Sequence, residues 1–303
     1  MRLSRAQVHT AWDSSLPPIA RVAGGEVVTV EVANSSGGQL DRRSTAADLA
    51  TLDFGRVNPV TGPIAVEGAE PGDALVIDVL DVEVADWGWT ANIPGFGLLA
   101  QDFPDAHLRL SAVRDGRVDF LPGLTLPAVP MIGTIGLAPA GPEVLPMVPP
   151  HRAGGNMDIR HVTAGTRLRL PVQVPGGLLS IGDTHAAMGD GEVCGTGVEI
   201  GSVVTVRLGV DKGNSIPTAI LETDGRASRA GRSLIATGIG PDLWQAARDA
   251  TRSLVEQLVR RTGLAPVDAY LLASVTADLH ISEIVDLPNV VVSMHFPLDA
   301  LDG

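Results

Sequence analysis

Gly201-Ser-Val-Val-Thr-Val-Arg-Leu-Gly-Val210 opens on a turn residue and then sets aliphatic side chains at every second position. Period-two alternation lines one face of an extended segment with apolar groups, which is the pattern of a half-buried strand. Two more segments repeat it: Gly72-Asp-Ala-Leu-Val-Ile-Asp-Val-Leu80 and Gly165-Thr-Arg-Leu-Arg-Leu-Pro-Val-Gln-Val174. Val27 to Val32 and Ile64 to Val66 add shorter strands, and Gly-Pro or Pro-Gly pairs at 62–63, 71–72 and 94–95 punctuate them. The segments do not recur at a fixed period, so they predict a set of antiparallel strands and not a solenoid. The first 235 or so residues read as all-β.

Near Gly240 the period changes. Leu243, Ala247, Ala250, Leu254 and Leu258 follow helical spacing through Pro241–Thr262, with Pro241-Asp242 suited to the first turn and Arg260, Arg261 and Gly263 to the last turn and stop. Val267–Val275 fits a helix or a buried strand, with helix favoured by propensity. Asn289–Phe296 reads as a closing strand. The fold class expected is therefore mainly β: a β-sandwich or barrel-like body of antiparallel strands with a smaller C-terminal α/β portion. The Pro-rich stretch 139–150 is the candidate linker. It divides the chain into an N-terminal β unit (1–140), a motif-bearing β unit (141–235) and the C-terminal portion (236–303).

Composition agrees. In 303 residues, 45% hydrophobic but only 3% aromatic, with 35 Gly and 22 Pro, a packed body rich in turns between aliphatic strands is expected. A net charge of −13 repels phosphate backbones, so no nucleic-acid partner is expected. A single cysteine, Cys194, excludes an intramolecular disulfide framework and a multi-cysteine metal site within one chain. With no export signal at the N-terminus and no apolar run of membrane-spanning length, the chain reads as cytoplasmic with no membrane partner. Aliphatic β-rich faces with few charges make a homo-oligomer the expected assembly.

The chemistry concentrates between Gly154 and Glu199. In Gly182-Asp-Thr-His-Ala-Ala-Met-Gly-Asp-Gly-Glu192, Asp183 and His185 share one face if extended, and Asp190 or Glu192 can return across the glycines to complete three metal ligands. The same residues also suit an ordinary turn-rich loop. Gly154-Gly-Asn-Met-Asp158 offers close backbone approach at Gly154 and Gly155, an amide donor for an oxyanion in Asn156, and a ligand or base in Asp158; it too has the composition of a turn. His151 immediately precedes this loop. Cys194 lies two residues past Glu192 and is a candidate thiol nucleophile, or else a small buried core residue. Lys212, the only lysine, would have to serve any Cys-Glu-Lys or Ser-Ser-Lys amidase mechanism, and Ser35-Ser36-Gly37-Gly38 lacks the longer serine motif of the latter. No dinucleotide or phosphate-loop fingerprint is present.

Several of these segments together resemble the acetamidase/formamidase family. They are Gly154–Asp158, Gly182–Glu192, Asn58-Pro-Val-Thr-Gly-Pro-Ile64 with Glu67-Gly-Ala-Glu-Pro-Gly-Asp73, Ala277–Leu279, and Ile284-Val-Asp-Leu-Pro-Asn289, in family order over most of the chain. The resemblance implies hydrolysis of short aliphatic amides such as formamide or acetamide to a carboxylate and ammonia, a mainly β fold, and metal-associated members. It implies Asp183 and His185 as metal ligands with Glu192 as the third, and Asn156, Asp158 and Glu199 as substrate or general-base positions; Gly154, Gly155 and His151 are expected around the substrate. Zinc is the metal expected, and calcium the alternative. His280 and the ending Ser293-Met-His-Phe-Pro-Leu298 depart from the basic and tyrosine-like residues expected there. The rival readings are a Cys194-dependent thiol amidase, a non-catalytic metal- or small-ligand-binding β protein, and a related reaction on another or a cyclic amide.

Overall fold

A computed structural model describes residues 1–225 and 231–302. The three alternating segments are strands, and they lie together. Glu199–Asp211 runs antiparallel to the long Ala74–Asn92 strand on one side and to Val27–Val32 on the other, while Thr166–Pro171 pairs with the same long strand. Alternation sets which faces meet: Val28, Val30 and Val32 are fully buried, and Val30 stands opposite Val204 in register. Leu75, Ile77, Leu168, Val204, Val206 and Leu208 complete the same dry layer. Burying side chains of this size stabilises by about 1.5–3 kcal/mol each relative to exposure.

The fold is mainly β, a large and predominantly antiparallel sheet with its helices near the C-terminus. Strands on the two sides of residue 140 interleave: Met131–Leu137 pairs with both Gly154–Asn156 and Leu179–His185. The Pro-rich stretch contributes Leu145–Pro146, which pairs with Ala11–Trp12 near the N-terminus.

The C-terminal change of period is real. Helix α1 spans Leu243–Thr262; the Asp242 side chain caps it by accepting from the Gln245 N–H at 2.7 Å, and Gly263 ends it in a left-handed conformation. The ambiguous apolar stretch is helix α2, Pro266–Thr276, with proline at its first position. Ala246, Ala250, Leu254 and Leu258 of α1 pack on the Ser233–Gly240 and Val290–Pro297 strands, forming a second core with Phe296, Val292 and Leu234. Among the described residues no helix is long and apolar enough to cross a membrane.

Candidate active site

The Leu179–His185 strand is buried along its whole length and lies between Met131–Leu137 and Val60–Val66; at its end, His185 stands opposite Glu199. Thr134 stands opposite Asn156 and near Gly182 in the same sheet. The pairing therefore gathers polar groups from four distant parts of the chain at one point.

Local backbone distortion aims them. Asn58, Asp158, Asp183 and Glu192 all have φ between +44° and +47°, and they are four of the six positive-φ non-glycine residues described. Such conformations cost of order 1–3 kcal/mol each and persist where surrounding structure enforces them. Asp183 thus leaves regular strand geometry, so it meets His185 by a kink and not by the simple alternation expected: His185 Nε2 lies 3.3 Å from Asp183 Oδ1. The kink faces Gly133, where a Cβ would collide with Asp158 Oδ1 and lie 3.1 Å from Asp183 Oδ2. Glycine at 133 leaves the room that both carboxylates occupy.

His185 is 1% exposed, and its Nε2 is also 3.2 Å from Glu199 Oε1 and 3.9 Å from both Asp158 Oδ1 and Glu192 Oε1. Each neighbour is oriented by others. Glu199 accepts from Ser35 Oγ at 2.6 Å and from the Gly197 N–H at 2.8 Å. Asp183 Oδ2 accepts from Asn58 Nδ2 at 3.1 Å and Thr134 Oγ1 at 3.3 Å. Asn156 accepts from Thr134 and donates through Nδ2 to Asp286 Oδ2 at 2.5 Å. Asp158 is fully buried, yet no donor reaches either of its oxygens, and its carboxyl faces that of Asp286.

One imidazole cannot neutralise this many buried carboxylates. Burial pushes Asp158 well above the usual carboxylate range, and the Asp183 charge adds to it. Burial likewise raises Glu192 and Asp286, each further raised by Asp158, and raises Glu199 against the pull of His185. Glu283 is lifted by burial to about 7, although it accepts the Asp286 and Val285 N–H groups. For His185 burial acts downward, but Glu199 and Asp183 outweigh it and hold the imidazole well above its ordinary value. Asp183 is below its ordinary value because His185 and its hydrogen bonds overcome burial.

Among the described residues, two sets of donor atoms converge closely enough to hold a metal ion: Asp183, His185 and Glu199, and Asp158, His185 and Glu192. The expected trio of Asp183, His185 and Glu192 is thus distributed over both sets. Asn156, Asp183, Glu192, Glu199 and Asp286 form the polar floor of a cavity of about 50 Å³, walled by Leu52, Phe54, Val57, Trp89, Ile93 and Phe96.

The sequence profile of the acetamidase/formamidase family matches residues 1–147 and 140–303. The chain belongs to that family. It is an amidohydrolase. A formamidase of Methylophilus methylotrophus is 29% identical over 98% of this chain and 90% of its own length. The crystal structure of an acetamidase from Bacillus halodurans superposes with a TM-score of 0.92 at 36% identity, covering 100% of this chain and 99% of that one. An acetamidase from Yersinia enterocolitica matches with a TM-score of 0.89 at 27% identity, over 99% of this chain and 93% of its own.

Other expected positions of this amidohydrolase lie elsewhere. Asp190 bonds to His280 at 3.1 Å and does not join the His185 cluster. His151 packs edge-on against Trp12 at 4.9 Å, and burial holds it at about 4. Gly154 spends its N–H on the His151 carbonyl at 2.9 Å, and neither it nor Gly155 nor His151 lines the cavity. The Cys194 thiol faces the Thr196 carbonyl at 3.4 Å, and Lys212 pairs with Asp73 at 2.6 Å, with neither residue lining the cavity. Ser35 does line it, bonded to Glu199. Sequence reasoning gave no role to Ser35 as an orienting group, nor to Asn58, Gly133, Thr134, Glu283 or Asp286. Asn58 and Asp286 fall inside the quoted family segments; for Gly133 and Thr134 the sequence carries no signal, since their role exists only through strand pairing.

Proposed function

We propose that the chain hydrolyses short aliphatic amides of the formamide and acetamide type to carboxylate and ammonia, assisted by a divalent cation held by Asp183, His185 and Glu199. The observation that carries this is the excess of buried carboxylates around His185, of which Asp183, Glu192 and Glu199 line a small cavity while the fully buried Asp158 receives no hydrogen-bond donor. Buried carboxylates in such numbers call for a cation. An imidazole with two carboxylates suits zinc; calcium prefers six to eight oxygens, which an imidazole nitrogen does not supply. Bound there, the cation would polarise the amide carbonyl and make water acidic enough to attack near neutral pH.

The protein groups divide the remaining work. Ser35, Asn58 and Thr134 fix the outer oxygens of Glu199 and Asp183, and the Gly197 N–H holds the inner Oε1 of Glu199 directly. Glu192 lines the cavity beside Glu199 and Asp183, so it is assigned to take the water's proton and return it to the leaving nitrogen. Asn156 is assigned to the developing oxyanion through Nδ2, with Asp286 holding that amide in place.

Cavity size supports small substrates. A site of about 50 Å³ has space for roughly four waters, at about 10–15 Å³ each, which corresponds to the handful of heavy atoms in formamide or acetamide. Binding energy from so few atoms is small, so rate must come from positioning and electrostatics. The test is ammonia release from formamide, acetamide and propionamide, with and without chelator, together with metal analysis of the purified protein. No release from any amide after metal is restored refutes the proposal.

A further inference from the structure

The cavity has walls of two kinds. Trp89 and Ile93 are 3% and 7% exposed and belong to a small core with Leu40, Leu49 and Ala91, with the Trp89 indole N–H directed to Asn34 at 3.4 Å. These walls are fixed by their packing. Phe96 packs against the edge of that core but is only half-buried, and it sits on a tight turn closed by its N–H to the Ile93 carbonyl at 3.0 Å. Its ring meets Phe54 edge-on at 6.2 Å, and Phe54, which lines the same cavity, is itself 49% exposed.

The opposite support of Phe96 is a glycine. A Cβ on Gly195 would collide with Cδ1 of the Phe96 ring and lie 2.5 Å from Cε1, so the ring occupies the space a side chain would take. Leu98 N–H bonds to the Val193 carbonyl at 2.9 Å, and Gly97 lies against the Cys194 backbone, which stitches the Phe96 turn to the segment following Glu192. Gly195 and Thr196 of that segment line the same cavity as Glu192. Phe96 is thereby held within the small space that faces the polar floor.

We propose that Phe96 is the specificity-determining residue for acyl length: its ring, seated on Gly195, closes the apolar side of the cavity and limits the substrate to a short acyl group. This rests on the amide-hydrolase reading of the same site. The alkyl part of the acyl group has no hydrogen-bonding function, so it turns from the carboxylate floor towards the apolar wall while the carbonyl stays at the floor. One methylene in an apolar pocket is worth roughly 10- to 200-fold in discrimination, so the effect of moving this wall is measurable.

The experiment compares kcat/KM for formamide, acetamide, propionamide and butyramide in the metal-loaded wild type and in Phe96→Ala, Phe96→Leu and Phe96→Trp. The truncations are expected to raise the butyramide-to-acetamide ratio by roughly tenfold or more, and Phe96→Trp to lower the acetamide-to-formamide ratio by a similar factor. Using ratios removes changes that affect every substrate equally. Ratios within twofold of wild type in the variants that retain formamide hydrolysis overturn the proposal. Loss of all activity in all three also overturns it, because Phe96 would then be needed for the structure of the site whatever the acyl length. A wild type inactive on every amide instead removes the parent reading, a separate outcome.

Discussion

Substituting Gly133 by alanine tests the geometry of the site without touching a reacting group. Gly133 is not among the positive-φ residues, so a Cβ brings no backbone strain. It does bring a collision. The added atom would overlap Asp158 Oδ1, lie 3.0 Å from the Asp183 carbonyl oxygen, and lie 3.1 Å from Asp183 Oδ2. Comfortable separations are about 3.5 Å, so the Asp183 atoms must retreat by roughly 0.4–0.5 Å and Asp158 Oδ1 by more. Asp183 cannot do so freely, because its carboxylate is tied to Asn58 and Thr134 and its strand is paired on both sides. A misplacement approaching 1 Å costs on the order of 100-fold in rate, and disturbed ligand orientation costs about 10- to 100-fold in metal affinity. Stability should change far less. Alanine gains about 0.5–1 kcal/mol over glycine in a strand, which offsets part of the crowding cost of about 1–3 kcal/mol. Gly133→Ala is therefore expected to remain folded, with a urea midpoint near wild type, while kcat falls about 100-fold and metal content drops. Steady-state ammonia assays, urea titration and metal analysis read the three quantities. Wild-type metal content with kcat within threefold of wild type would refute the reasoning.

Glu192→Gln keeps the shape of the side chain but removes its proton-carrying role, so kcat is expected to fall about 10²- to 10⁴-fold with little change in KM; a proportionate rise in KM with unchanged kcat contradicts the assignment. Cys194→Ser should retain amide hydrolysis, and chelation should abolish it in both proteins, whereas loss only on the serine substitution restores the thiol mechanism. His151 is neutral in the folded state because burial holds it at about 4, while in the unfolded chain it titrates near its ordinary 6.5. The unfolded state thus binds more protons below pH 6.5, and the stability His151 contributes above that pH is lost as pH falls towards 4. Between pH 7 and 5 this amounts to about 2 kcal/mol. His151→Gln should lose that much less stability than wild type over the same interval, measured by urea unfolding, and identical losses contradict the prediction.

Much of the fold was readable because it depends on local pattern. Val27–Val32 and the strand around Gly201–Val210 appear where period-two alternation places them, and α1 ends at the glycine that helical stop signals mark. Val267–Val275 is ambiguous in sequence because a short apolar run lacks a decisive period; in the fold it is a helix that packs mainly on α1 through Ala269 and Ala273. The site was legible in its residue types and less so in its partnerships. Asp183, His185, Glu192 and Glu199 come together, but Asp190 turns away to His280, and Asp158 joins Glu192 around His185.

Taken alone, the sequence determined a mainly β chain with a C-terminal helical portion and carried the motifs that mark an amidohydrolase, because alternation, caps and short segments are properties of neighbouring residues. Tertiary structure decided which carboxylates face His185, that Gly133 must lack a side chain, and that Phe96 rests on Gly195. Those relations join residues far apart in the chain, and they arise only from strand register, positive-φ kinks and the close approach of separate loops.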